Sequence, residues 1–518
     1  MPDFSAILIH FAPELILLVG LLVILSYDLV VRGREGLQWV LAVVTLVLAC
    51  AATGWLYSVP PPDGGIFETR DAAGAVIRAG AFLSDGYTHF FRLAGMVTAL
   101  IVVLSGVTYL QSRTPFKGEF HAFVLSAALA MNLMAGANDL IMVALSIEFL
   151  SITSYILTGF LRGDPLSSEG GLKYLLYGSI TSAVMLFGLT YLYGVAGTTS
   201  LPAIAALIAR PETTLVAHLD AVIVPALILV LAGVGFKLAI VPFHHWSPDA
   251  YQGAPTPVTA FLSVGPKVAG IAVLLRLLTT VFEQPVLSGR WLGLIAALAA
   301  ATMLVGNIGA LTQRNVKRLM AYSSIAQAGY MLIGLAAWAG GSLAGFSPLG
   351  AVLLYVLAYV FTNLGAFAVI IAVDHATGSS DITAFDGLAK RAPFLAAALS
   401  VFFLSLIGIP PLAGFVGKFA VFGAAVTANL TVLAIIGVLT GVVATAYYFR
   451  VVAAMYFRAP PDGAAAIRIS GTGAFAVGLA LAMTFIVGLL PETFMAMSTD
   501  AAAVLAPLTE PLAEVDGH

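Results

Sequence analysis

Charge is what this sequence lacks most. Only 9% of its 518 residues are Asp, Glu, Lys or Arg, while 60% are hydrophobic and the mean hydropathy is +1.02. A soluble domain carries about a quarter charged residues, and no soluble fold can hide so much apolar surface. The composition therefore reads as a polytopic membrane protein. Cysteine is nearly absent. The single Cys50 lies in an apolar run, which excludes an internal disulfide and any cysteine-held metal or iron–sulfur site. No long hydrophilic segment is present, so one membrane domain is the simplest organisation. The sequence shows no GxGxxG fingerprint, no P-loop and no Ser–His–Asp pattern, and hence no site for redox chemistry or ATP hydrolysis. A net charge of −3 suggests no nucleic-acid partner. The N-terminus lacks a basic region and a small-residue cleavage site, so "PELILLVGLLVILSYDLVV" reads as a retained first span.

What is present is a series of apolar runs. Crossing about 30 Å of hydrocarbon takes about 20 residues. Fourteen runs qualify, at 13–31, 36–57, 87–110, 119–136, 139–161, 170–195, 219–243, 254–281, 289–312, 316–338, 347–373, 392–428, 430–452 and 472–495. The run 392–428 is too long for one straight helix and holds "GIPPLAG", which predicts a break. With the N-terminus outside, the inner loops hold thirteen Lys and Arg residues and the outer loops four, Arg70, Arg78, Arg210 and Arg290. The bias predicts both termini on the outer side. The Pro/Gly-rich segment 58–86 reads as a small outer hairpin with no assigned function.

Charges in the spans are few. Lys173, Lys237, Lys267 and Lys418 fall within predicted spans, and Glu148 joins them in "LIMVALSIEFLSITSYIL". An intramembrane charge costs about 2.5–3.5 kcal/mol on insertion scales and marks function by default. Burial destabilises a lysine's charged form, and a nearby carboxylate restores it. Alternating Lys and Glu is thus the chemistry of a proton relay. Blander readings exist. Lys173 lies near a span end and can snorkel to the interface. Lys237 can snorkel too, although Gly233 and Gly235 beside it suggest a break or close packing. Lys267 and Lys418 are too deep for that, and Glu148 needs a cationic partner. Arg92 and Arg276 read as interfacial anchors.

Pro242, Pro255, Pro257 and Pro266 surround the two lysines of the first half, and Pro410–Pro411 precedes Lys418. Unwound backbone at membrane depth is tolerated only inside protein or beside a watery cavity, and broken helices mark ion sites in transporters. "AGVGFKLAIVPF" and "PLAGFVGKFAVF" are alike, and by the topology above they run in opposite directions. They fit one position in two inverted repeats. His244, His245 and Asp249 show no third metal ligand at a recognisable spacing. They read as hydrogen-bonded loop residues or proton acceptors at the mouth of the relay.

The segment "VPFHHWSPDAYQGAPTPVTAFLSVGPKVAG" closely resembles the signature of the subunit N family of bacterial NADH–quinone oxidoreductases, respiratory complex I. "GGLKYLLYGSITSAVMLFG", "NVKRLMAYSSIAQAGYMLIGL" and "SLIGIPPLAGFVGKF" extend the resemblance over about residues 140–455. The wider family of antiporter-like membrane subunits includes Mrp-type cation/proton antiporters. The resemblance implies an all-α polytopic membrane protein. It has about 14 transmembrane helices, two inverted five-helix repeats and discontinuous helices 7 and 12. It divides the chain into 1–118 (helices 1–3), 119–281 and 289–458 (the repeats), 472–495 (helix 14) and 496–518 (outer tail).

By motif match, Glu148 pairs with Lys237, Lys267 is central, Lys418 faces the outer half-channel, and Lys173 belongs to the relay. Gln327 stands where many relatives carry histidine, which puts obligatory protonation there in doubt. The resemblance also implies proton translocation driven by redox chemistry in other subunits. Within this chain it implies no cofactor. NADH, FMN, iron–sulfur clusters and quinone are expected in partner subunits, and the partners are other membrane-arm subunits in a bacterial plasma membrane. The rival readings are a subunit of a cation/proton antiporter and a scaffold whose lysines serve only stability.

Overall fold

The computed structural model describes residues 4–505, apart from 32–35, 63–64, 71–75, 210–221, 284, 341–346, 462 and 465. The acidic tail "EPLAEVDGH" lies outside the described residues. Short α1 (Phe4–His10) leads into α2 (Ala12–Val30), α3 (Leu37–Leu56), α4 (Gly86–Arg113), α5 (Lys117–Gly136), α6 (Leu140–Thr158) and α7 (Pro165–Ala196). After short α8 (Leu201–Ile208), span seven is split into α9 (Val224–Leu238) and α10 (Trp246–Gly253). The continuous spans α11 (Thr256–Thr280), α12 (Pro285–Leu311), α13 (Val316–Ala336) and α14 (Pro348–Thr377) follow. One-turn α15 (Leu388–Arg391) precedes span twelve, split into α16 (Pro393–Ile407) and α17 (Ala413–Thr427). Then come α18 (Thr431–Phe457), α19 (Gly471–Leu489) and α20 (Pro491–Ala503). Among the described residues twelve helices are long and apolar enough to cross a membrane. With the two split spans, the described residues form fourteen α-helical spans.

Local chemistry sets the ends. The side chains of Asp85, Asp139, Asp164, Asn315, Ser347 and Ser470 accept backbone N–H groups at helix starts. Proline occupies the first turn of α9, α14 and α16, where its missing N–H costs nothing. The expected span to Phe243 ends early, at Leu238. Ala239 there takes a left-handed φ of 55°, and Pro242 follows. The expected span 472–495 is two helices, because Pro491 opens a new one. This second helix, α20, packs against α14. In the segment 58–86, β1 (Thr69–Arg70) pairs antiparallel with β2 (Val76–Arg78), the small hairpin expected.

Burial sorts the helices into two layers. Every residue of the apolar window of α11 is buried, and α13 and α14 are almost as enclosed. The spans α2, α3, α7, α12, α18 and α19 are mostly uncovered and present outward Leu, Val, Ile and Phe. Such faces suit hydrocarbon, provided all backbone polar groups are satisfied within helices. α11 packs on α4, α9 and α14, and α14 packs on α17. That chain of contacts joins the two split spans through the centre of the molecule.

Candidate functional site: buried lysines at two helix breaks

Lys237 lies on the last turn of α9 and is 1% exposed. Its Nζ sits 5.4, 5.7 and 5.3 Å from the ring centres of Tyr155, Tyr174 and Phe236. The indole of Trp246 stacks on Tyr174 at 4.0 Å and closes the cage. The ammonium has no hydrogen-bond partner, so ring faces are what it meets. α11 approaches closely here. A Cβ added at Gly270 would lie 3.5 Å from Lys237 Cβ.

Lys267 stands on fully enclosed α11, next to the interior proline Pro266. It is 1% exposed, and its Nζ donates to the Tyr251 hydroxyl at 3.4 Å. Lys418 lies on α17, just past the second break. Its Nζ donates to the carbonyls of Leu406 and Ile407 at 2.8 and 3.0 Å. In a continued helix those carbonyls would accept from residues 410 and 411. Both are proline and have no N–H to give. Gly408 ends α16 with φ 102°, and a Cβ there would press on the Lys418 side chain at 3.1 Å. The Lys418 Nζ also lies 4.4 Å from the Tyr330 ring centre.

Glu148 and Lys173 stand apart from these three. Glu148 is partly exposed on α6. Its charge is felt at Lys237, but neither Glu148 Oε1 nor Lys237 Nζ has a hydrogen-bond partner. Lys173 is 39% exposed at the side chain and pairs with Glu169 at 2.7 Å and Asp249 at 2.8 Å. Arg318 holds the other oxygen of Asp249. The His244 ring is buried with Nδ1 unpaired, while His245 is exposed. Among the described residues no three His, Cys, Asp or Glu side chains group as a metal site.

Sequence reasoning missed a second set of buried charges. Arg92 reads in the sequence as an interfacial anchor. It is fully enclosed and grips Glu14 with Nε and Nη2, both at 2.8 Å. Arg276 likewise is 3% exposed and pairs with Asp85 at 3.1 Å. Burial works against the Asp85 charge, but the Arg276 guanidinium and the Thr88 N–H hold its carboxyl below the ordinary 3.8. Lys317, expected in an inner loop, is buried and donates to the Ala254 carbonyl at 2.6 Å. The lone Glu14 inside "APELILLVG" was the available signal for the first pair.

Buried lysines on broken helices within fourteen spans define an ion-pathway membrane subunit. Residues 137–444 match the family model described as "NADH:quinone oxidoreductase/Mrp antiporter, TM". NADH-quinone oxidoreductase subunit N of Desulfitobacterium hafniense is 40% identical over 450 residues, 85% of this chain and 89% of that protein. A chain of respiratory complex I from Thermus thermophilus superimposes with a TM-score of 0.75 at 31% identity, covering 93% of this chain and 98% of that one. A chain of the Mrp complex from Dietzia shares the fold at a TM-score of 0.81 and 23% identity, covering 96% and 98%. The chain belongs to the NADH:quinone oxidoreductase/Mrp antiporter family, on the side of NADH-quinone oxidoreductase subunit N.

Proposed function

We propose that this chain is a proton-translocating membrane-arm subunit of an NADH-quinone oxidoreductase. It moves protons while redox chemistry proceeds in partner subunits that hold NADH, FMN, iron–sulfur clusters and quinone. The observation that carries this reading is the enclosure of Lys237, Lys267 and Lys418, two at helix breaks and one beside Pro266. Ammonium groups enclosed without a carboxylate against them are costly and mark function by default.

In this reading each lysine has its own role. Lys237, uncommitted to any hydrogen bond, takes up or releases a proton as Glu148 moves toward or away from it. Lys267 passes the proton on, and Lys418 delivers it. Lys173, with Asp249 and Arg318, forms the inner mouth. The repeats fall at 119–281 and 289–458. The membrane is a bacterial plasma membrane with both termini outside, and the partners are other membrane-arm subunits. The test is proton translocation by the assembled complex in vesicles with Lys267→Ala or Lys418→Ala. Both should pump poorly, and undiminished pumping in both, with normal assembly, would sink the relay.

The Mrp-like fold favours a second reading, a cation/proton antiporter subunit. Purification through a tag on this chain separates the two. Co-purifying flavin and iron–sulfur proteins support the first, whereas sodium-dependent proton exchange without NADH supports the second.

A further inference from the structure

Between Lys267 and Lys418 runs a buried row of hydroxyls. Pro266 has no N–H to offer the Leu262 carbonyl four residues back. That carbonyl instead accepts the Tyr251 hydroxyl at 3.0 Å. Tyr251 oxygen is the acceptor for Lys267 and lies 3.3 Å from Ser324 Oγ. Ser324 Oγ is 2.8 Å from the Tyr359 hydroxyl, which itself donates to the Ser263 carbonyl at 3.0 Å. Tyr251, Ser324 and Tyr359 are all buried. Beyond Tyr359 lies a cavity of about 10 Å³, walled by Tyr359, Thr362, Ser405, Gln327 and Leu406. That is the size at which one water fits. The Leu406 carbonyl on its wall is an acceptor for Lys418. Gln327 offers no way through. Its amide N–H donates to Leu406, and its oxygen takes the Tyr355 hydroxyl.

The geometry points to Tyr251, Ser324 and Tyr359 as a hydroxyl wire that carries the proton from Lys267 toward Lys418. This rests on the relay proposed above. The Lys267 ammonium gives its proton to Tyr251 oxygen as the Tyr251 hydrogen passes to Ser324. The Ser324 hydrogen passes to Tyr359, and the Tyr359 hydrogen passes through water in the cavity to a neutral Lys418 amine. One O–H bond forms as one breaks at each hydroxyl. Lys267 ends as the amine and Lys418 as the ammonium. In the structure Tyr251 and Tyr359 point their protons at backbone carbonyls, so both must rotate before each passage. The carbonyl that Pro266 leaves open thereby parks the first hydroxyl.

The test uses the assembled complex in proteoliposomes, reading protons moved per NADH oxidised and the solvent deuterium isotope effect. Ser324→Ala and Tyr359→Phe should each lower proton movement about a hundredfold, the lower end of what a positioned proton carrier contributes. Tyr251→Phe should do the same, and gives a third variant should one fail to assemble. A hydroxyl with only a structural role would shift the thermal midpoint and leave the isotope effect on pumping unchanged, which would overturn the wire. Lys267→Met separates the two ideas. Pumping lost in Lys267→Met but normal in all three hydroxyl variants overturns the wire and leaves the relay. Normal pumping in Lys267→Met as well overturns the relay itself.

Discussion

The two helix breaks place a lysine in opposite surroundings. At the second, prolines 410 and 411 strip the donors from Leu406 and Ile407, and Lys418 folds back to claim both carbonyls. At the first, the carbonyls near the helix end are already taken. Gly235 and Phe236 accept from the backbone of Ile240 and Ala239, and Trp246 Nε1 adds a bond to Phe236 at 3.0 Å. Pro242 comes after Lys237, so the donor it withholds would have served Leu238, beyond the lysine. Lys237 therefore meets aromatic faces instead of oxygens. The lesson is that a proline supplies an ion site only where the carbonyl it releases lies within reach of the cation. Lys418 is anchored, and Lys237 is free to respond to a distant carboxylate.

The strongest way to break this comparison is to remove what lies between the sites. Lys267→Met should cut proton movement by about a hundredfold or more while NADH oxidation by the complex becomes uncoupled or slows. Vesicle acidification measured against NADH consumption checks it. If pumping persists, the two breaks work separately and their contrast has no bearing on a shared path.

Stability should separate the two lysines next. Lys418→Met leaves the Ile407 carbonyl unpaired and Leu406 with only the Gln327 amide. An unpaired buried acceptor costs about 1–3 kcal/mol. Lys237→Met removes no hydrogen bond and places a thioether among rings, a contact worth about 0.3–1.5 kcal/mol. Thermal unfolding of the purified complex should fall for the first variant and hold or rise for the second. Equal losses would mean Lys237 is anchored by something other than its cage.

Much of this was legible in sequence. Fourteen apolar runs, the break at "GIPPLAG" and the deep lysines Lys267 and Lys418 stood out because membrane spans leave so few charges to explain. The partners were not legible. Nothing in "APELILLVG" says that Glu14 meets Arg92, 78 residues away. Lys317 reads as a loop cation until Ala254 is seen above it. The rings around Lys237 come from α6, α7 and α9, so no local pattern announces them. Spacing along one helix is visible in a sequence, whereas side chains meeting between helices are not.

Trp246→Phe is a smaller perturbation of the first break. It keeps an aromatic ring against Tyr174 but gives up the bond to the Phe236 carbonyl. One buried hydrogen bond contributes about 0.5–1.5 kcal/mol, and the Ala239 N–H still serves that carbonyl. A modest drop in thermal midpoint, with assembly intact, is the expected result. No drop would mean the indole N–H is redundant and stacking alone closes the cage.

The smallest expected effect is the most discriminating. In the first site the hydroxyls of Tyr155 and Tyr174 have no hydrogen-bond partner, so only their rings serve Lys237. Between Lys267 and Lys418 each tyrosine hydroxyl is engaged, Tyr251 to Leu262, Tyr359 to Ser263 and Tyr355 to Gln327. The same change, tyrosine to phenylalanine, should therefore give opposite results in the two regions. Tyr174→Phe should leave stability within about 0.5 kcal/mol and pumping unchanged, since a quadrupole remains and no bond is lost. Tyr359→Phe should impair pumping because the oxygen itself is the working part. Parallel proton-translocation assays on the two variants read this directly. A loss in Tyr174→Phe equal to that in Tyr359→Phe would give the first site a working hydroxyl too, and the division between a cage of rings and a chain of oxygens would fail.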